Sequence, residues 1–385
     1  MRRSLTSAAV LALALAAAFL PAAPGTATAD GPAPVRFHTP AHTSAAYAQY
    51  RELLARGERS DAAGLLAMIR TPHAVWLGDG GAAETEAEAR DTVRAAAREG
   101  TVPVFVVYDI PGRDCAGYSG GGVGTTAAYR AWIDAVARGI GASPALVVLE
   151  PDGLALLPSD CGQDDAAGTR TAARYAELGY AVDTLEPLAG TRVYLDAGHP
   201  GWHTVNSLVA RLIRAGAERA TGFAVNVSNH HTDAASTWYG RLISSCLGHA
   251  TAGGDPAACP NQRTDPRTAR DWLARHPGVR HFVTDSSRNG RGPWTAPAGR
   301  YSDPQDWCNP PGRGVGARPT AATGDPLHDA RLWIKTPGES DGLCLRGTAG
   351  PLDPERRTAD PAAGEWFPAQ ALELVRLAVP ALPTV

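Results

Sequence analysis

Short apolar runs recur along the chain, each followed by an Ala-, Arg- and Glu-rich stretch of helical character, and this alternation restricts the fold more than any other feature. Repeated strand–helix units imply a parallel sheet whose crossovers are helices. Seven runs read as strands: His73 to Leu77, Val102 to Tyr108, Ala145 to Leu149, Arg192 to Leu195, Gly222 to Val227, His281 to Thr284 and Arg331 to Ile334. Glu84 to Glu99, Thr125 to Gly139, Ala166 to Leu188 and Asp265 to His276 read as helices between them, and the Gly- and Pro-rich Trp294 to Thr323 as a long loop. No internal repeat, no Pro/Thr/Ser linker and no second aromatic-rich module interrupts the pattern. One domain over residues 30–385 is therefore expected.

The N-terminus has a different character. Met1-Arg2-Arg3, an apolar run from Ala8 to Ala23 and the small residues Ala27-Thr28-Ala29 read as a secretory signal peptide, residues 1–29. A membrane anchor fits less well, because Pro21 and Pro24 break a run that barely reaches the roughly 20 apolar residues a span needs. The mature chain should start near Asp30 and be soluble outside the cell, with no membrane association after cleavage. A formal net charge of -3 and the absence of a Lys/Arg run argue against nucleic acid as a partner. Six cysteines in an exported chain without C-x-x-C spacing favour three disulfides over a metal–thiolate site.

Acidic and polar residues collect just beyond the strand ends. Tyr108 leads to Asp114, Leu149 to Glu150-Pro151-Asp152, Leu195 to Asp196-Ala197-Gly198-His199, Val227 to Ser228-Asn229, Thr284 to Asp285, and Ile334 to Lys335 and Glu339-Ser340-Asp341. In a parallel βα barrel the strand C-termini converge, so these groups can meet although far apart in sequence. Cleaving a glycosidic bond needs one protonated carboxyl for the leaving oxygen and a second group to activate water. Crowded, partly desolvated carboxylates oppose each other's ionisation and can keep one protonated. Any one of these aspartates alone could equally cap a helix or pair with Arg113 or Arg288. Four together, Asp114, Asp152, Asp196 and Asp341, point to chemistry.

Val106-Val107-Tyr108-Asp109-Ile110-Pro111-Gly112-Arg113-Asp114-Cys115, with Ser119 to Gly122 behind it, resembles the first signature of glycoside hydrolase family 6, the cellobiohydrolase and endoglucanase family. Val147 to Asp152 resembles the second. Tyr194 to His199 with Trp202, Val225 to Asn229, Asp285 to Gly290, Trp307-Cys308, and Trp333 to Gly342 then appear in the family's order. The resemblance covers Trp76 to about Trp366. It implies a distorted, seven-stranded parallel β/α barrel, an incomplete TIM-like barrel, in agreement with the strand count.

The same resemblance implies roles. Asp152 matches the general acid, Asp114 the aspartate that keeps it protonated and supports the water path, Asp196 an electrostatic assistant, and Asp341 the proposed base, reached directly or through a water relay. Asp285 reads as structural, satisfied by Arg288 and Asn289 beside it. Trp76, Trp202 and Trp307 would stack on sugar faces, and His199, Asn229, Lys335 and Glu339 would hydrogen-bond sugar hydroxyls, with Tyr108 below the distorted sugar. Trp132, Trp238, Trp272, Trp333 and Trp366 read instead as core. Gly153 replaces a larger or hydroxyl residue, and Pro200-Gly201 stand at a variable spot, which bears on subsite shape and leaves every carboxylate in place. Gly117 to Gly124 lacks the Lys of a phosphate loop and reads as a mobile loop over the cleft.

The expected function is thus inverting hydrolysis of β-1,4-glucosidic bonds in cellulose or related β-glucans, endo-acting, by a monomer that binds cellulose or cello-oligosaccharides. No cofactor and no metal is expected; His199 and the His230-His231 pair could suggest a metal, but a site would require three convergent ligands and carboxylate-only hydrolysis needs none. The alternatives are a cellobiohydrolase releasing cellobiose from chain ends, for which Leu343 to Phe367 is long enough to form a lid, a secreted carbohydrate-binding protein, and a metal-dependent polysaccharide deacetylase. The family pattern implies bridges Cys115–Cys161 and Cys308–Cys344, which leaves Cys246 with Cys259 as a local, dispensable pair.

Overall fold

The computed structural model describes residues 35–383; the expected signal peptide, residues 1–29, lies outside them. Among the described residues one sheet holds seven strands in chain order, every neighbouring pair parallel. They are β1 (Val75–Leu77), β2 (Val104–Val107), β3 (Ala145–Leu149), β4 (Thr191–Asp196), β5 (Gly222–Val225), β6 (His281–Asp285) and β7 (His328–Leu332). Helices α1 (Ser44–Ala55) and α2 (Arg59–Ile69) precede β1, and α3 (Ala82–Glu99), α4 (Thr126–Ile140), α5 (Thr169–Leu185) and α6 (Val205–Arg214) follow the first four strands. Between β5 and β6 lie α7 (Asp233–Thr251) and α8 (Pro266–Arg275), and α9 (Pro368–Arg376) comes late in the chain. No helix among the described residues is long and apolar enough to cross a membrane.

Period-two alternation decides which side chains face which layer. Phe105, Val107, Val147, Leu149, Val193, Leu195, Phe223 and Phe282 join one core with the inner faces of the surrounding helices. The intervening Val104, Val106, Val148, Tyr194, Ala224, Val283 and Leu332 join a second, which fills the barrel interior. A third core packs α1, α2 and α9 around Trp333 and Trp366. Trp132 and Trp333 are fully buried and Trp366 nearly so, while Trp238 and Trp272 are partly buried against the first core.

Among the described residues the sheet does not close. Between β1 and β7 the contact is one main-chain bond, Ala74 N–H to the Trp333 carbonyl at 2.9 Å, and one from Trp76 Nε1 to the Ile334 carbonyl at 2.9 Å. The last strand differs from the expected Arg331 to Ile334. It begins at His328 and stops at Leu332, because the Asp285 carboxylate takes the amides of Ile334 (3.2 Å) and Lys335 (3.0 Å). Likewise β5 ends at Val225 instead of Val227, where Asn226 turns to a left-handed φ of 71°. Helices α1, α2, α6, α7 and α9 are not among the segments the sequence pattern picks out. Thr232 caps α7 by accepting from the Ala235 amide, and Gly240 within it lets the Phe282 ring approach to 2.7 Å of where a Cβ would stand.

Candidate active site

The strand C-termini present the four aspartates in two groups. Asp114 follows β2, Asp152 follows β3 and Asp196 ends β4; Asp341 lies beyond β7. The chain reaches the first group through strained backbone: Asp114, Cys115, Ala116, Glu150 and Asp152 all have positive φ, between 47° and 65°. Such conformations persist only when the surroundings hold them. The Cys115–Cys161 disulfide ties the Asp114 loop to the segment after Asp152. Arg174 of α5, buried in the core, adds two clamps, donating to the Gly153 carbonyl at 3.0 Å and the Pro111 carbonyl at 2.9 Å. Glu150 supports the same junction by accepting from the Asp109 amide (3.1 Å), the Ile110 amide (3.2 Å) and the Tyr129 hydroxyl (2.9 Å).

Electrostatics in this group favour protonated carboxyls. Burial, then the charges of Asp196 and Asp114, push Asp152 well above the usual carboxylate range. Burial pushes Asp196 up to about 7, against the pull of the amides of Gly198, Asp152 and Ala197. The Asp152 amide donates to Asp196 Oδ2 at 3.1 Å, whereas Asp196 Oδ1 is buried without a hydrogen-bond partner among the described residues. Asp114 is raised by burial, opposed by the Ser119 amide at 2.8 Å from Oδ2. Tyr108 lies beside them, its hydroxyl raised by burial and by Asp152 and Asp114, with the Arg113 guanidinium 4.6 Å from its ring centroid. Trp76 meets Tyr108 edge-on at 5.3 Å.

Asp341 has different company. Its Oδ2 accepts from Arg288 at 2.7 Å and from the Asn309 amide at 2.9 Å, and Lys335 Nζ lies 4.0 Å from Oδ1. This corrects the expectation for Asp285. Arg288 serves Asp341, and Asn289 serves the His231 carbonyl and Asp233, while Asp285 is satisfied by the main-chain amides of Ser228, Ser287, Ile334 and Lys335. Lys335 also donates to the Ser340 carbonyl at 3.3 Å, and burial raises the Glu339 carboxyl. The Cys308–Cys344 bridge joins the Trp307 loop to the Asp341 loop, and the third bridge is Cys246–Cys259.

Among the candidate sugar-contacting groups, Trp202 is 36% exposed and Trp307 42% exposed, so both indoles keep apolar surface open to solvent. His199 stacks on His231 at 4.7 Å and leans on Trp202 at 5.5 Å; burial lowers it to about 3, so it is neutral and can both donate and accept. Asn229 spends Oδ1 on the His230 amide at 2.8 Å. Sequence reasoning missed Tyr118, whose hydroxyl donates to Gln305 Oε1 (3.2 Å) and accepts from the Leu345 amide (3.0 Å). It thereby links the Asp114 loop to the loop beyond Asp341. It also missed Arg174, Tyr129 and Asn309, none of which stands at a strand end.

A parallel βα barrel left open at one seam, with carboxyls of raised pKa gathered at the strand C-termini, is the framework of an acid–base enzyme. The chain belongs to the glycosyl hydrolases family 6, whose family model matches residues 33–378. It is 39% identical over 318 residues to Endoglucanase A of Cellulomonas fimi, covering 82% of this chain and 57% of that protein. It is 35% identical over 286 residues to Endoglucanase A of Thermobispora bispora, covering 74% and 53%. The chain thus spans little more than half the length of these two relatives. The endoglucanase Cel6 of Mycobacterium tuberculosis, solved with methyl-cellobiosyl-4-deoxy-4-thio-β-D-cellobioside, aligns with a TM-score of 0.68 at 34% identity over 90% of this chain and 98% of that one.

Proposed function

We propose that this chain is a secreted, monomeric enzyme that hydrolyses β-1,4-glucosidic bonds within cellulose or related β-glucans, with inversion at the anomeric carbon. The observation that carries the reading is the raised Asp152 carboxyl beside Asp196 and Asp114. Asp152 gives its proton to the glycosidic oxygen as the C–O bond breaks. Water attacks the anomeric carbon from the opposite face, and its proton passes to Asp341, directly or through a second water. Arg288 and Lys335 hold the Asp341 carboxylate in place for that transfer. Trp76, Trp202 and Trp307 would stack on glucosyl rings, and His199, Asn229, Lys335 and Glu339 would hydrogen-bond their hydroxyls. Similarity to proteins named endoglucanases supports internal cleavage, and three disulfides accord with an exported chain.

The test is Asp152→Asn. Folding and cello-oligosaccharide binding should persist while turnover of an unactivated cello-oligosaccharide falls at least the roughly 100-fold expected for loss of a general acid. Wild-type turnover in this variant would refute the assignment. NMR of the wild-type reaction should show the α-anomer first; a β-anomer first would exclude inversion. A rapid fall in viscosity of soluble substituted cellulose distinguishes internal cleavage from release of cellobiose at chain ends.

A further inference from the structure

Asn309 sits behind Asp341 and grips it twice. Its main-chain N–H donates to Asp341 Oδ2 at 2.9 Å, and its side-chain Oδ1 accepts the Asp341 main-chain N–H at 2.8 Å. With Arg288 also on Oδ2, the oxygen left for a water is Oδ1. The Asn309 Nδ2 lies 2.9 Å from Ser340 Oγ and 3.0 Å from the Gly342 carbonyl, and it donates to Asp360 Oδ2 at 2.8 Å. The residues on both sides of Asp341 are therefore fixed by one amide. Gln370 of α9 steadies that amide from behind, donating to Oδ1 at 2.9 Å. Asn309 is fully buried with φ at 38°, a conformation that asparagine adopts more readily than most residues.

A second buried layer stands behind the first. Asp360 and Asp353 carry carboxyl oxygens within 4.8 Å of each other, and Asp353 pairs with the fully buried Arg346 at 3.1 Å. Arg346 in turn donates to the Cys308 carbonyl at 2.8 Å, next to Asn309. The chain from Arg346 to Asp341 is continuous, and the Asn309 amide accepts from Asp341 through Oδ1 while donating to Asp360 through Nδ2.

We infer that Asn309, backed by Asp360, is the positioning residue that aims the Asp341 carboxylate at the attacking water, an inference that rests on the reading of Asp341 as the proton acceptor. Steady-state kinetics on a cello-oligosaccharide test it with four variants and one combination. Asn309→Gly keeps the backbone N–H and the left-handed φ while removing the amide. It should lower kcat about 10- to 100-fold, the cost of misplacing a reacting group by about 1 Å, with KM unchanged. Asn309→Asp should also lose kcat, because it sets a carboxylate against Asp360, and so should Asp360→Asn. Combining these two exchanges donor and acceptor between positions 309 and 360 while leaving an oxygen against the Gly342 carbonyl, and should recover part of the lost kcat, which a general loss of structure would not allow. Should Asn309→Gly fail to fold, the exchange decides alone. Wild-type kcat in Asn309→Gly, a rise in KM in place of a fall in kcat, or no recovery in the exchange overturns the inference. Asp341→Ala separates the two levels: wild-type kcat there overturns the proton-acceptor reading itself, whereas an inactive Asp341→Ala beside an unimpaired Asn309→Gly overturns only the role of Asn309.

Discussion

Burial raises both Asp152 and Asp196, and the Asp196 charge raises Asp152 further. With Asp152 as the proposed general acid, kcat/KM should fall as pH rises through the ionisation of Asp152 and Asp196, the latter at about 7. Asp196→Asn removes the first of the two charges that raise Asp152 and leaves burial and Asp114. The alkaline limb of the residual activity should therefore move to lower pH. A limb that stays put or moves up would show that Asp196 does not govern the proton on Asp152. At this scale the aspartates were legible because each closes or follows an apolar run. Arg288 was misread because its partner is 53 residues away, and chain proximity to Asp285 suggested the wrong carboxylate. Arg174 was invisible, one of two arginines in its helix, of which the other, Arg170, is exposed.

Among elements, the junction of β2 with β3 depends on Glu150, a buried carboxyl pushed up to about 7 by burial and held down by the Asp109 amide, the Tyr129 hydroxyl and the Ile110 amide. Its folded pKa lies above the ordinary 4.5, so the stability it contributes is complete below pH 4.5 and is lost as pH rises through about 7. Tyr129→Phe removes a donor that favours the ionised form. Chemical denaturation should show a cost of about 1 kcal/mol at pH 5, near that of an ordinary hydrogen bond, and a larger one at pH 8. Equal costs at both pH values would place the stabilisation elsewhere. The strands were legible in their Val- and Leu-rich runs. Their ends were less so, since a side chain decides them: β7 stops where Asp285 captures the next two amides. Helix α7 escaped notice because its glycines and serines lower helix propensity while serving close packing on β6.

For the whole molecule, the three disulfides divide by what they hold. Cys246–Cys259 spans 13 positions and Cys308–Cys344 spans 36, so chain entropy gives similar contributions, about 3 and about 4 kcal/mol. Replacing either pair with alanines should lower Tm. Only loss of Cys308–Cys344 should lower kcat as well, since Asn309 and Asp341 lie beside its two ends; equal kcat in both double variants would refute this division. The open seam between β1 and β7 bears on how the protein behaves in a crowded solution. A sheet that stops short of closure has two free borders whose unsatisfied amides and carbonyls could recruit a strand from another copy and seed a fibre. Here the β7 border is taken by Thr320, whose amide and carbonyl pair with the Arg331 carbonyl (2.9 Å) and amide (3.0 Å), and beyond it the two borders meet in the Ala74–Trp333 bond and the bond from Trp76 Nε1 to the Ile334 carbonyl. The barrel is therefore guarded against edge-to-edge polymerisation by the loop at Thr320 and by its own opposite rim.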